Sequence, residues 1–365
     1  MDWKSGSSPA DFASFAETDT PNNRQDKATN RRPIILVLTI PLLRFPTDSK
    51  HEKLYKNPLS NSSRTLLINK LVLFLFLKNA QMNYECFEVT IKDSVAHIKL
   101  NRPEKRNSMN PAFWRELPEI IEDIDENVRA RAIVISSTGP HFSAGMDLAA
   151  FSSKEPKTDK EARDMKIRHG ASFYRSALNT QQTFNAIENC RIPVLAAIQG
   201  GCIGGGLDMI TACDMRYASE DAFFTIFEVN IGMTADVGTF PRLVRQIPEG
   251  MVRELAYTGR NMMAEEAKQI GLINQVYPDQ ASMIEDVMRI AKEITSKPPL
   301  AVYGCKRMIT YSHDHSTADS LDYIAIWNAS MLQIPEMQEA MQANSEKRQG
   351  DFVELPPLKK NSSIP

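Results

Sequence analysis

The sequence predicts an α/β domain whose buried parallel strands alternate with helices, followed by a purely helical region. Two short runs, residues 132–136 and 194–198, are continuous in apolar residues, which is typical of strands covered on both faces of a parallel sheet. Amphipathic helical patterns separate these runs, and such alternation is typical of an α/β fold. From residue 280 to 348 only helical periods remain, so we expect helices there that pack on the core or on another subunit.

The composition excludes several classes of protein. Among 365 residues, 43 Lys and Arg face 45 Asp and Glu, a net charge of −2 that gives no global attraction to nucleic acid. The longest uncharged apolar run near the start, residues 71–77, is too short to span a membrane. Five cysteines without a C-x-x-C pair predict a reducing compartment and mostly buried thiols. We therefore expect neither a nucleic-acid partner nor a membrane span.

The chain changes character near residue 82. Residues 1–81 begin polar and then mix short apolar runs with prolines, which predicts a poorly structured N-terminal extension: a targeting arm, an appended element or an imperfect gene model. Four acidic residues within the first twenty argue against a secretory or mitochondrial presequence. We predict one unit with a core over residues 82–279 and a helical region over 280–350, then a disordered tail over 351–365.

The first elements of the core carry local markers. Phe87, Val89 and Ile91 alternate with polar residues, and a polar turn at 92–94 leads to a second strand at 95–100, which predicts a hairpin. Asn110 followed by Pro111 predicts the start of a helix that runs to about residue 127. Thr158 and Glu161 form a capping-box pattern for a long helix that must end before Pro193.

Later elements follow the same alternation. After the strand at 194–198, glycines occupy most of residues 200–206 and a helix is expected to start near Leu207. The remaining predicted elements are strands at 215–218, 222–226 and 272–277, and helices at 238–247, 249–257 and 264–270. In the helical region we expect breaks at Pro298-Pro299, near residues 313–315 and at Pro335.

Motifs of several common chemistries are missing from the sequence. No phosphate-binding G-x-x-x-x-G-K-[ST], no G-x-S-x-G and no H-E-x-x-H occurs, and the glycines at 200–206 do not follow the dinucleotide-binding order. His313 and His315 are the only close histidine pair, and without nearby carboxylate or cysteine ligands a polar linker is favoured over a metal site. We predict no metal.

Two glycine-containing loops are candidates for an anion site. Gly204, Gly205 and Gly206 precede a helix, where free backbone N–H groups and the positive end of the helix dipole attract negative charge. Sixty residues earlier in the chain, another strand-to-helix loop contains Gly145, so this is the first glycine loop and residues 200–206 are the second. Two converging N–H groups would form an oxyanion hole. For either loop alone a tight packing turn is the favoured interpretation, and the spacing alone cannot decide between the two.

These loops carry a resemblance to a known family. FSAGMDL at 142–148 and GGCIGGGLD at 200–208, with NRPEKRN at 101–107, resemble the enoyl-CoA hydratase/isomerase (crotonase) superfamily over residues 84–348. The resemblance implies a crotonase (ClpP-like) fold, a spiral core of repeated β-β-α turns with a C-terminal helical region that mediates trimerisation. It further implies a homo-trimer or homo-hexamer and an acyl-coenzyme A substrate, with no cofactor beyond the coenzyme A of that substrate.

The same resemblance implies roles for the loop residues. The N–H groups of Met146 and Gly205 would form the oxyanion hole. The substrate-binding segment would comprise Ala144, Gly145, Met146, Asp147 and Leu148, together with Gly205.

Three carboxylates follow the second glycine loop at the positions where the superfamily places its acid/base residues. Hydratases of the superfamily carry Glu, Glu and Gly there, whereas this chain carries Asp208, Glu228 and Asp236. That pattern is similar to the Δ3,5-Δ2,4-dienoyl-CoA isomerase branch, which implies proton removal at C2 and proton delivery at C6 by two carboxyls. Structural roles are the alternatives: Asp208 stabilising a helix N-terminus, Glu228 in a solvated loop, and Asp236 capping a helix.

Other functions and the compartment stay open at this stage. A hydratase or Δ3-Δ2-enoyl-CoA isomerase on the same fold, and a non-catalytic, RNA-associated crotonase-like protein, are the alternatives; the charge of −2 and the acidic triad argue against the last. The resemblance implies a peroxisomal or mitochondrial protein, and otherwise a cytoplasmic one, although the chain ends without the S-K-L address.

Overall fold

The computed structural model describes residues 84–147 and 158–358. The predicted N-terminal extension, residues 1–81, lies outside them. Within the described ranges, six strands form the main sheet: β1 (Phe87–Lys92), β2 (Val95–Leu100), β3 (Ala132–Ser137), β4 (Val194–Ile198), β6 (Met215–Ser219) and β9 (Gln275–Tyr277). They are hydrogen-bonded in that order. The pairs β2–β3, β3–β4, β4–β6 and β6–β9 are parallel, which confirms the predicted parallel core.

The edge of the main sheet is the predicted hairpin. β1 and β2 pair antiparallel, from Phe87 opposite Leu100 to Lys92 opposite Val95. Asp93 and Ser94 turn the chain with φ of 51° and 61°, the left-handed conformation that suits a two-residue hairpin turn.

A second, three-stranded sheet carries the second glycine loop. Its strands are β5 (Gly201–Ile203), β7 (Phe223–Thr225) and β8 (Met262–Met263), in that order. β5 pairs with β7 in parallel, placing Gly201 opposite Phe223 and Ile203 opposite Thr225. The glycine-rich segment therefore enters its helix directly from a hydrogen-bonded strand.

Helices cover the main sheet on both sides. Up to residue 269 they are α1 (Pro111–Glu126), α2 (Asp159–Asn189), α3 (Gly205–Thr211), α4 (Thr239–Leu243), α5 (Glu249–Thr258) and α6 (Ala264–Gln269). The helical region contains α7 (Gln280–Thr295), α8 (Pro299–Tyr311), α9 (Thr317–Met331) and α10 (Ile334–Glu346). The predicted caps are confirmed, because Asn110 accepts a hydrogen bond from Phe113 N and Thr158 accepts one from Glu161 N.

The core has two layers, one on each face of the sheet. On one face Ile133 and Ile135 pack with side chains of α1 and α2 such as Leu117 and Phe184. On the other face Val134 packs with α7, whose buried residues in this cluster are Met283, Val287 and Ala291. Burial on both sides explains why the central strands are continuous in apolar residues.

Several boundaries differ from the prediction. α4 is only five residues long, not ten, and β9 begins at Gln275, where the ladder with Tyr217 of β6 starts, and not at Leu272. The predicted break at Pro335 is present two residues earlier, because α9 ends at Met331 and α10 begins at Ile334; Pro335 lies in the first turn of α10, where its missing N–H costs nothing.

The predicted disordered tail is wrong for residues 351–358. Phe352 and Leu355 are buried, and the carbonyl of Phe352 accepts a hydrogen bond from Arg131 Nη2. Arg191 Nη1 donates to Pro356 O, and Leu358 N donates to Glu126 O. Two buried apolar side chains and the carbonyl groups that accept from Arg131 and Arg191 thus hold this segment on the domain, while residues 359–365 lie outside the described part.

The helices after α8 expose large apolar side chains. Leu321 and Ile326 on α9, and Ile334 and Met341 on α10, are all more than half exposed. In α9 the buried residue is Ser320. Packing against another subunit stays a prediction. None of the helices within residues 84–147 and 158–358 combines the length and apolar character needed to cross a membrane.

Candidate active site

The two glycine loops run side by side. Phe142 N donates to Gln199 O at 2.8 Å, Ser143 N donates to Gly201 O at 3.0 Å, and Ile203 N donates back to Ser143 O at 3.0 Å. This short ladder brings the loop of Gly145 against the N-terminus of α3. The structure therefore brings together the two loops that sequence analysis selected.

Glycine is required at position 145 by this close approach. Its φ is +78°, and a Cβ there would lie 2.6 Å from the carbonyl oxygen of Ile203 and 3.1 Å from Gly205 N. Both atoms belong to the backbone, so neither can move away cheaply. Gly145 thus makes a tight turn and, because it has no side chain, also lets the two glycine loops approach each other closely.

Most backbone N–H groups around this junction already have acceptors. Ala144 N donates to Arg106 O, Gly145 N to Ser143 Oγ, Asp147 N to Met109 O, and Gly204 N to Thr225 O. Among residues 84–147 and 158–358, no acceptor bonds the N–H of Met146 or of Gly205. Both groups are therefore candidates to donate to a ligand. Leu148, the last residue of the predicted loop, lies outside the described residues.

Asp208 is buried beneath the junction, in the first turn of α3. Its side chain is 1% exposed, and its Oδ1 accepts a hydrogen bond of 2.6 Å from Thr239 N, the first residue of α4. Burial raises the pKa of Asp208 to about 6, although the bonds from Thr239 oppose the shift. The nearby charge of Asp236 raises it further.

Glu228 lies at the start of a short 3₁₀ helix, Glu228–Ile231, just after β7. Its carboxylate packs on Gly204, where a Cβ would come within 3.1 Å of Oε1, and Gly204 has a φ of +51°. The other oxygen, Oε2, is buried and has no hydrogen-bond partner among the described residues. Burial, and then the charge of Asp208, raise the pKa of Glu228 to about 7.

Asp236 lies in the segment between the 3₁₀ helix and α4. It is half-buried, and burial raises its pKa. The expected alternative, a helix cap, is not what the structure has, because Gly238 and not Asp236 occupies the N-cap position of α4. The charge of Asp236 raises the pKa of both Asp208 and Glu228, so the three carboxyl groups form one electrostatic cluster.

Sequence analysis missed two residues that shape this cluster. Thr239 supplies the hydrogen bonds to Asp208, and His141 accepts a hydrogen bond of 3.0 Å from Gly201 N through Nδ1. Neither stands out by type or spacing, although His141 immediately precedes the first glycine loop. Cys202 and Cys213 are buried as expected, and burial raises their thiol pKa values, which leaves them unreactive.

The histidine pair follows the end of α8, and His313 lines the same cavity of about 440 Å³ as Asp236. The ring of His315 stacks on Tyr311 with centroids 3.6 Å apart, and its Nδ1 lies 2.8 Å from Tyr311 O. Across the part of the chain that the structure describes, no three metal-ligating side chains gather at one point. These contacts fit the interpretation of the pair as a polar linker.

Comparison with known proteins places this site in a family. Residues 90–355 match the sequence model of the enoyl-CoA hydratase/isomerase family. The chain is 46% identical over 273 residues to the mitochondrial Δ(3,5)-Δ(2,4)-dienoyl-CoA isomerase of Homo sapiens, covering 73% of this chain and 81% of that protein. It is 39% identical over 276 residues to the peroxisomal Δ(3,5)-Δ(2,4)-dienoyl-CoA isomerase of Arabidopsis thaliana, covering 75% and 99%.

Solved structures agree with the sequence comparison. The crystal structure of an enoyl-CoA hydratase from Bacillus anthracis superposes with a TM-score of 0.65 at 28% identity, covering 75% of this chain and all of that one. The expected crotonase fold is thereby confirmed. The chain belongs to the enoyl-CoA hydratase/isomerase family.

Proposed function

We propose that the protein is a dienoyl-CoA isomerase that converts 3,5-dienoyl-CoA to 2,4-dienoyl-CoA in the β-oxidation of unsaturated fatty acids. The observation that carries the proposal is the cluster of Asp208, Glu228 and Asp236 beside the junction of the two glycine loops, with all three pKa values raised. The human and Arabidopsis relatives, named for this isomerisation, support it.

The reaction moves one proton off the substrate and one proton onto it. An ionised carboxylate removes the proton from C2, the electrons of the two double bonds shift, and a protonated carboxyl delivers a proton to C6. Glu228 and Asp236 are the proposed pair. Because the pKa of Glu228 is about 7, both of its forms are populated near neutral pH, as a proton-transfer group requires.

Asp208 has a different proposed role. It is almost fully buried and its Oδ1 is engaged by Thr239, so it does not face a substrate freely. Its negative charge raises the pKa of Glu228 and thereby favours the protonated form of that acid. In this proposal Asp208 tunes the proton-transfer pair.

The thioester carbonyl takes up negative charge as C2 loses its proton. The N–H groups of Met146 and Gly205 are proposed to donate to that oxygen, because no acceptor among the described residues bonds either group. Removal of one such donor typically costs about 3 kcal/mol of transition-state stabilisation. Coenzyme A is part of the substrate, and the proposal requires no other cofactor.

Assembly and compartment belong to the same proposal. The exposed apolar side chains of α9 and α10 support a homo-trimer or homo-hexamer. The relatives named mitochondrial and peroxisomal support one of those two compartments for this protein. A hydratase and a Δ3-Δ2 isomerase are not favoured by any contact at the site.

The proposal is tested with 3,5-dienoyl-CoA, following the ultraviolet absorbance of the 2,4-dienoyl product. We expect turnover by the purified protein and a loss of at least about a hundredfold in kcat for Glu228→Gln and for Asp236→Asn. Glu220→Gln, at an exposed carboxyl, is the matched control and is expected to keep full activity. Absence of turnover, full activity in the two site variants, or equally efficient hydration of a 2-enoyl-CoA would refute the assignment.

A further inference from the structure

One polar face of α2 lies against the segment that carries Asp236. Gln181, Asn185 and Glu188 are spaced at i, i+4 and i+7, so they share one side of the helix. The adjacent side, with Phe184 and Ile187, is buried in the core and fixes the orientation of α2. A helix anchored in this way is a rigid support for whatever its polar face holds.

The polar face makes direct contacts with both ends of residues 236–242. Gln181 Nε2 donates to the backbone carbonyl of Asp236 at 2.7 Å. Asn185 Oδ1 accepts from Arg242 Nη2 at 2.7 Å, and Glu188 Oε2 accepts from Arg242 Nε and Nη2 at 3.0 and 2.8 Å. Arg242 is only 8% exposed, so its pairing with Glu188 is well shielded from solvent.

Arg242 in turn packs on the backbone that links Asp236 to Thr239, the residue that bonds Asp208. Gly238 has a φ of +137°, and a Cβ there would overlap Nη1 of Arg242, so the guanidinium packs directly on the backbone. The next residue, Thr239, donates its N–H to Asp208. The contact chain therefore runs from α2 through Arg242 and Gly238 to the hydrogen bond that holds Asp208.

We propose that the polar face of α2 positions the Asp236 carboxyl for proton transfer. The positioning residues are Gln181, Asn185 and Glu188, which act together with Arg242. The inference rests on the proposed function. Asp236 lies on an irregular segment, and a shift of about 1 Å in a reacting group can cost about a hundredfold in rate. The α2 face supplies the rigidity that this segment lacks.

The test compares Gln181→Met with Gln280→Met. Gln280 also donates from Nε2 to a backbone carbonyl, that of Ser137 at 3.0 Å, but lies away from the carboxyl cluster. Gln181 is half-buried beside a cavity of about 440 Å³, so a methionine fits without overpacking. We expect Gln181→Met to lower kcat about tenfold, with KM within twofold, Tm unchanged and the pH profile of kcat displaced. Gln280→Met should match the wild type in all four.

Arg242 provides a graded second measurement. Arg242→Lys keeps the charge but loses the fork that bridges Asn185 and Glu188, and is expected to retain more kcat than Arg242→Met. The inference is overturned if Gln181→Met keeps wild-type kcat and pH profile, or if kcat merely follows the folded fraction. If the wild type does not isomerise 3,5-dienoyl-CoA, the proposed function fails alone. Carbon-13 NMR titration of the Asp236 carboxyl still tests the positioning, and an unchanged midpoint in Gln181→Met would overturn it.

Discussion

The effect of replacing Glu228 by Gln on the free energy of unfolding should depend on pH. Relative to the wild type, the variant should be more stable at alkaline pH than at acidic pH. The folded-state pKa of Glu228 is about 7, against 4.5 for an unperturbed Glu, so the native state binds a proton more tightly than the unfolded state. The Glu228 carboxyl therefore contributes its full stabilisation below pH 4.5, and this contribution is lost as the pH rises through 7. Between pH 5.5 and pH 8 the wild type should lose about 2 kcal/mol through this carboxyl, and the Gln variant should not.

The measurement is urea unfolding of both proteins at pH 5.5 and pH 8. The stability of Glu228→Gln minus that of the wild type should increase by about 2 kcal/mol across this range, because the variant carries no titrating group. Glu220→Gln, at an exposed side chain, serves as the control and should show no such trend. If the difference between Glu228→Gln and the wild type is the same at both pH values, the reasoning about a buried, repelled carboxyl is wrong.

Two further substitutions test the close approach at Gly145 and a buried ion pair elsewhere in the domain. Gly145→Ala should lower the stability by at least about 2 kcal/mol and abolish turnover, because the new Cβ would meet Ile203 O at 2.6 Å. Gly170→Ala, in open space on α2, is the control and should stabilise the protein by about 0.5 kcal/mol. Thermal unfolding measures both changes, and equal effects of the two substitutions would contradict the close approach at Gly145. Lys306→Met should destabilise the protein by about 3 kcal/mol, because the buried Lys306 Nζ bonds Ile187 O, Ile192 O and Asp214. Lys292→Met, at an exposed ion pair, is the control and should change the stability little. If urea unfolding shows no loss of stability in Lys306→Met, the buried lysine is not the stabilising contact described.

The parts of the fold that sequence predicted correctly carry local markers. Asn110 and Thr158 cap helices within three residues of themselves, and the hairpin turn at Asp93 and Ser94 lies between two alternating strands. Each marker is read from a few neighbouring residues. Their success follows from the short range of the interactions that they describe.

The parts that sequence missed depend on distant contacts. Arg242 meets Glu188 across 54 positions, and Thr239 meets Asp208 across 31, so no local pattern reveals either bond. The carboxyl residues themselves were found through family resemblance and not from spacing. Their raised pKa values follow from burial beside one another, which only the folded chain provides.

The segment from residue 351 to 358 sets the order in which this domain can be completed during synthesis. Arg131 bonds Glu354 across 223 positions, so this ion pair cannot form until the chain has been synthesised beyond residue 354. Because such long-range closure is slow, we expect docking of residues 351–358 to be a late step of folding. A chain stalled at residue 350 should be cleaved faster by protease than a chain that contains residues 351–358, and equal resistance would show that the domain closes without this segment.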